Sequence, residues 1–135
     1  MFCIFAFCGG RRMEYFSKYS SLGHQEFIGN YGYWHKAEPK RVALVYLLGL
    51  LKVTREHIRD IFDFENDEIK PVCLSYAWVT PLARRTIMLA FNLYTDWIPK
   101  EYPEDCTPSA LFDNEKLREF LIEGVNIRYR KKLNM

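Results

Sequence analysis

The sequence predicts a mainly α fold: a compact bundle of about five helices, with room for one short N-terminal strand. Three observations predict it. Val42 to Leu51 is apolar almost all round, the mark of a helix with no face left to water. Thr80-Pro81 and Thr107-Pro108 each place a capping hydroxyl before a proline suited to a first helical position, where a missing N–H costs nothing. Elsewhere apolar residues recur mostly at three- and four-residue steps, the helical period.

The elements follow in order. Met1 to Cys8 alternates Phe2, Ile4 and Ala6 with Cys3, Phe5 and Phe7, a candidate strand apolar on both faces. Gly9-Gly10 breaks the run. From Arg11 to about Asn30 the spacing of Tyr15, Phe16, Tyr19, Leu22, Phe27 and Ile28 predicts a helix, weakened by Ser20-Ser21 and Gly23. Tyr31 to His35 is a glycine-punctuated aromatic turn. A second helix starts near Pro39 and ends at or just after Gly49. Thr54 is the expected N-cap of a third, with Ile58, Ile61 and Phe62 as its stripe.

Asp63 to Asp67 reads as a loop, and Pro71 keeps Lys70 extended. The fourth helix runs from the Thr80 cap to about Tyr94. A loop with Pro99 and Pro103 leads to a short turn at Thr107-Pro108. Asp113 or Asn114 caps the last helix, whose stripe is Leu117, Phe120, Leu121, Val125 and Tyr129 and whose basic end suits the negative dipole pole.

Composition narrows the class. The 135 residues fit one domain, with residues 1–10 an apolar segment and 130–135 a basic tail. A hydrophobic content of 49% is too high for a disordered chain. The net charge of +2 does not by itself call for nucleic acid. Cys3, Cys8, Cys73 and Cys106 fall at no metal-binding spacing, so reduced thiols in a cytoplasm are expected. The run from Phe2 to Cys8 is too short for a membrane span and lacks the flanks of a signal peptide.

Chemistry-bearing signals are weak. His24, His35 and His57 lie on three segments with no i, i+4 zinc pair, and no metal or cofactor is expected. Asp63 to Glu68 fails the EF-hand register, with Glu68 where glycine is needed and Leu74 where glutamate is needed. The glycine-rich phosphate loops and the serine elbow are missing.

Two groupings remain as candidate binding residues. Trp34, His35, Lys36 and Arg41 combine stacking surface with positive charge. Trp78, Thr80, Arg84 and Arg85 surround a helix start whose free N–H groups and guanidinium forks favour an anion. Two arginines in a first turn oppose the helix dipole. A bound anion, or an ion pair with the acidic 60–68 segment, would relieve that conflict.

Tyr33-x-His35, Tyr46-x-Leu48-Gly49, Thr54-Arg55, Phe62-Asp63-Phe64, Ile69-Lys70-Pro71, Leu74, Trp78-x-Thr80, Leu89 to Leu93 and Thr107-Pro108-x-x-Leu111-Phe112 follow one another along the chain. From about Tyr15 to Tyr129 the sequence thereby resembles a family of small bacterial proteins, a domain of unknown function common on mobile elements. The resemblance implies no reaction and no site residues. Val79, Leu82 and Ala83 are more apolar than the family pattern.

The leading expectation is a non-enzymatic interaction protein that binds a protein or ribonucleoprotein. By analogy with mobile-element cargo, this includes a counter-defence inhibitor of the anti-CRISPR kind. Two alternatives stay open. One is nucleic-acid binding through the basic C-terminal end and the Trp34–Arg41 segment. The other is a small hydrolase or nuclease in which His35 or His57 works with an acid such as Asp63.

Overall fold

A computed structural model describes residues 4–8, 11–16, 18–31 and 38–130, and of 4–8 and 11–16 the backbone alone. The fold is mainly helical, as predicted. Two strands, β1 (Ile4–Cys8) and β2 (Arg11–Phe16), pair antiparallel. The helices are α1 (Leu22–Tyr31), α2 (Pro39–Leu48), α3 (Lys52–Glu56), α4 (Ile58–Ile61), α5 (Pro81–Thr95), α6 (Pro108–Leu111) and α7 (Glu115–Tyr129). Two further strands, β3 (Phe62–Asp63) and β4 (Glu68–Ile69), form a minimal hairpin after α4. Short 3-10 turns cover Pro71–Ser75 and Pro103–Cys106.

The centre of the molecule is α2. Every residue from Val42 to Leu48 is buried, and the helix packs chiefly against α5 and α7, with α1 against a further side. Full burial of a large aliphatic side chain stabilises by roughly 1.5–3 kcal/mol. Leu44, Leu47 and Leu48 are each fully buried, so α2 dominates the core.

Close approach at this centre needs glycine. A Cβ on Gly124 of α7 would stand 2.6 Å from a methyl of Leu47 and 2.7 Å from its Cγ. At Gly49, just past α2, a Cβ would stand 2.6 Å from the Phe27 ring. Gly49 has φ −84°, so contact distance and not backbone conformation is what selects glycine there.

Two polar side chains buried against α2, His24 and Tyr46, are bonded. His24 is fully buried: one ring nitrogen, Nε2, lies 2.8 Å from the Tyr46 carbonyl, and the other, Nδ1, accepts from the Ser20 N–H at 3.1 Å. Those two bonds require the neutral ring with its proton on Nε2. The Tyr46 hydroxyl donates to the Lys18 carbonyl at 3.0 Å.

Several expectations are corrected. Residues 11–16 form β2 and not the start of a helix; α1 begins only at Leu22, after the Ser20-Ser21 break. The overlooked signal is Gly9-Gly10 between two alternating runs, a hairpin pattern; those two residues lie outside the described ones. Thr54 does not cap a helix. It sits inside α3, buried, and donates to the carbonyls of Leu48 (2.5 Å) and Leu51 (2.9 Å), closing the end of α2. In α7, Ile127 is buried in place of Tyr129, which is 56% exposed beneath the Arg128 guanidinium. Helical caps at Thr80, Thr107 and Asn114 stand as expected, accepting from Ala83, Ala110 and Leu117 at 3.1, 3.2 and 3.0 Å.

Two outcomes test this account. Gly124→Ala should lower stability by about 1–2 kcal/mol in urea unfolding, although alanine favours helix by up to about 1 kcal/mol, because the fully buried Leu47 has nowhere to move. An unchanged or raised midpoint would refute the close contact.

The second concerns pH. Burial, with the nearby Arg55 adding to it, lowers the His24 pKa from 6.5 to about 4, against the opposing effect of the Tyr46 bond. Below pH 6.5 the unfolded chain therefore takes a proton that the folded chain refuses, and stability falls as pH drops toward 4. The total loss is roughly 3 kcal/mol. The stability difference between wild type and His24→Gln should shrink over that range; a constant difference would exclude the linkage.

Candidate functional site

At the helix start that the sequence singles out, both arginines are engaged within the chain. Thr80 caps α5 and Pro81 opens it, which sets Arg84 and Arg85 in the first two turns. Both point to Asp105, a buried aspartate in the Pro103–Cys106 turn. Arg85 Nε donates to Asp105 Oδ1 at 2.9 Å and its Nη1 to the Ala110 carbonyl at 3.3 Å. Arg84 Nη1 lies 4.0 Å from the other carboxylate oxygen, and its guanidinium covers the Tyr102 ring at 4.3 Å. The dipole conflict is thus relieved by Asp105, not by the 60–68 segment as one expectation had it.

This clamp shapes the loop before it. Asp96 ends α5 in the left-handed conformation at φ 61°, and Tyr102 repeats that conformation at φ 62°. Aspartate tolerates it, but for a bulky side chain it costs on the order of 1–2 kcal/mol. The cost at Tyr102 is offset by the Arg84 stack and by the Asp105 N–H, which donates to the Tyr102 carbonyl at 3.0 Å. Between these two residues Trp97 sets its ring edge-on to Phe91 at 5.5 Å, and the Asn92 amide holds the Trp97 carbonyl at 3.2 Å.

The result is a firm ridge, Trp97-Ile98-Pro99, with a hollow on each side. The larger, about 380 Å³, lies between the ridge and the Pro71–Ser75 turn and reaches Tyr102. The smaller, about 230 Å³, lies over Met88, Leu89 and Asn92 and reaches Asp105, Cys106 and Leu111. The larger falls near the low end of the range for ligand clefts, roughly 300–1,000 Å³. Ile98 stands 76% exposed at the ridge and Val72 63% exposed across the larger hollow.

The sequence candidates are otherwise dispersed. Trp78 stacks face to face on His57, ring centroids 4.3 Å apart, with its Nε1 buried and without a hydrogen-bond partner among the described residues. Arg41 pairs with Asp67 and lies over the Phe62 and Phe64 rings at 5.5 and 5.4 Å. Trp34, His35 and Lys36 lie outside the described residues. Arg84, Arg85 and Thr80 share one end of α5, whereas Arg41 pairs into the β3–β4 hairpin, whose Asp67 carbonyl accepts from the Tyr94 hydroxyl near the other end of α5.

Three titratable groups among the sequence candidates have defined surroundings. His57 Nδ1 lies 3.5 Å from Asp60, not Asp63. Asp63 accepts from the Asn66 side chain at 2.8 Å and from the Glu65 and Asn66 N–H groups, and these bonds hold its carboxyl below the usual range. Burial pushes the Cys73 thiol up to about 12. Among the described residues no group of three or more His, Cys, Asp and Glu is placed to hold a metal ion, and no helix is long and apolar enough to cross a membrane.

Sequence reading missed Asp105, Tyr102, Trp97 and Ile98. The available signal was the apolar pair Trp97-Ile98 inside a segment otherwise written as polar loop, between Asp96 and Lys100.

The chain belongs to a family of unknown function, DUF6075, whose model matches residues 14–135. No curated protein and no solved structure matches it.

Asp105→Asn should lower stability by about 2 kcal/mol in urea unfolding, since two guanidinium groups lose a charged acceptor. Arg85→Ala should cost less, because Arg84 still faces the carboxylate. The reverse order would show that Asp105 is not the hub.

Proposed function

We propose that the protein is a non-enzymatic interaction protein that docks a protein partner on the Ile98 ridge. The observation that carries this reading is the pairing of exposed apolar side chains, Ile98 and Val72, with the hollow between them. Single exposed aliphatics are ordinary on any surface. Here they flank a concavity lined by Trp97, Tyr102, Pro71 and Pro99, residue types whose rigid apolar bulk suits interface anchors. The ridge is also fixed before binding, by the Asn92 bond, the Phe91 contact and the strained Tyr102. Less entropy is therefore lost when a partner orders it.

An anion or nucleic-acid role for Arg41, Arg84 and Arg85 draws less support. Each has an acidic partner within the chain, Asp67 for the first and Asp105 for the other two. A counter-defence inhibitor carried on a mobile element would act in the proposed way, by covering a face of its target.

A photo-crosslinking amino acid at position Ser75, which lines the larger hollow, tests the reading in cell extract. Crosslinks to polypeptide, whether a further copy of the chain or another protein, should form with the wild-type ridge and drop about tenfold with Ile98→Asp, a change at an exposed site. Equal crosslinking by the two, with circular dichroism showing both folded, would remove the ridge from the proposal.

A further inference from the structure

We propose that this face is occupied by a second copy of the chain, in a two-fold dimer where Ile98 of each copy enters the larger hollow of the other and Lys100 of each meets Glu101 of the other. The inference rests on reading the hollow as a protein-docking surface, and names its occupant.

The first argument is the arrangement of knob and hollow. A two-fold interface is self-complementary: one patch must carry both the projecting group and the concavity that receives it. Ile98 is 76% exposed and borders the 380 Å³ hollow, so a single patch carries both. Rotation about an axis beside the ridge exchanges the two insertions, buries both isoleucines, and brings Val72 of each copy under the ridge of the other.

The second argument is charge. Lys100 and Glu101 both line the larger hollow, and both are exposed. Neither makes a hydrogen bond or ion pair within the described residues. Opposite charges on consecutive residues beside a two-fold axis pair crosswise, lysine to glutamate and glutamate to lysine, with no like-charge contact. By contrast, Arg41 is paired with Asp67, Arg84 and Arg85 with Asp105, and Glu123 with Arg130. The rim of this hollow carries an exposed pair of opposite charges, and a copy of the chain brings the matching pair in the matching order.

Sedimentation equilibrium of the purified full chain, from low micromolar to submillimolar concentration, reads the association directly. Wild type should dimerise reversibly, and Ile98→Asp should be monomeric. Lys100→Glu leaves two acids and Glu101→Lys two bases at the rim, so each variant alone should dimerise at least about tenfold more weakly. Mixed together, the two should form a heterodimer near wild-type strength, as should the double swap with itself. These positions are exposed, and circular dichroism confirms that each variant is folded.

Wild type that stays monomeric throughout, or single charge variants that associate as wild type does, would overturn the second-copy inference. If wild type is monomeric while the Ser75 crosslinks still depend on Ile98, the docking reading survives with a different occupant. If both results fail, both readings fall.

Discussion

Because α2 has no polar face beyond its first turn, water touches no side of Val42 to Leu48, and the rest of the molecule is arranged to cover that stretch. Val42 to Leu48 is buried without a gap, and α1, α5 and α7 close around it. A helix apolar on all sides cannot be stable alone, so its burial and the placement of its neighbours form one event. Glycine marks where the fit is tightest. Gly124 lets α7 come against Leu47, and Gly49 leaves space for Phe27 and His24 of α1. Polar side chains caught in this enclosure are bonded at three places: His24 with Tyr46 and Ser20, the Tyr46 hydroxyl with Lys18, and Thr54 with Leu48.

That enclosure also decides where a surface is free to do something else. The buried stripe of α5, Ala83, Thr86, Ile87, Ala90 and Phe91, spends one face of the helix on the core. Its N-terminal arginines and C-terminal Asn92 are left to hold the loop that follows. Arg84 and Arg85 tie down Asp105, and Arg84 braces Tyr102 in a conformation that costs energy by itself. A loop held at both ends can present an exposed isoleucine without collapsing it into the neighbouring hollow. Strain of this kind persists only where the surroundings over-determine it, and it is commonest at binding and switching segments.

Helix starts were the most legible part of the fold. Thr80, Thr107 and Asn114 cap as their sequence neighbours require, because the donors they satisfy lie within one turn of chain. Thr54 shows the limit of that reasoning. Its hydroxyl could accept from a following turn or donate to a preceding carbonyl, and only the ending of α2 beside it made the second arrangement win. Residues 11–16 failed for a related reason. Tyr15 and Phe16 match a helical step and a strand alternation alike, and the β1 partner settled the matter. At the candidate site the sequence showed that Arg84 and Arg85 needed an acid. It could not show that the acid was Asp105, twenty residues on from Arg85 and outside any periodic pattern.

By itself, then, the sequence determined what depends on short stretches of chain: helical class, the buried central helix, the caps, and two arginines in conflict with a dipole. Propensity, capping and hydrophobic period all act within a few residues, and so they can be read along the chain. The tertiary structure decided which carboxylate answers the arginines, which glycines mark helix contacts, and that Ile98 and Val72 stand exposed beside one hollow. Those outcomes depend on distances between segments far apart in sequence, which packing around α2 sets and no local pattern encodes.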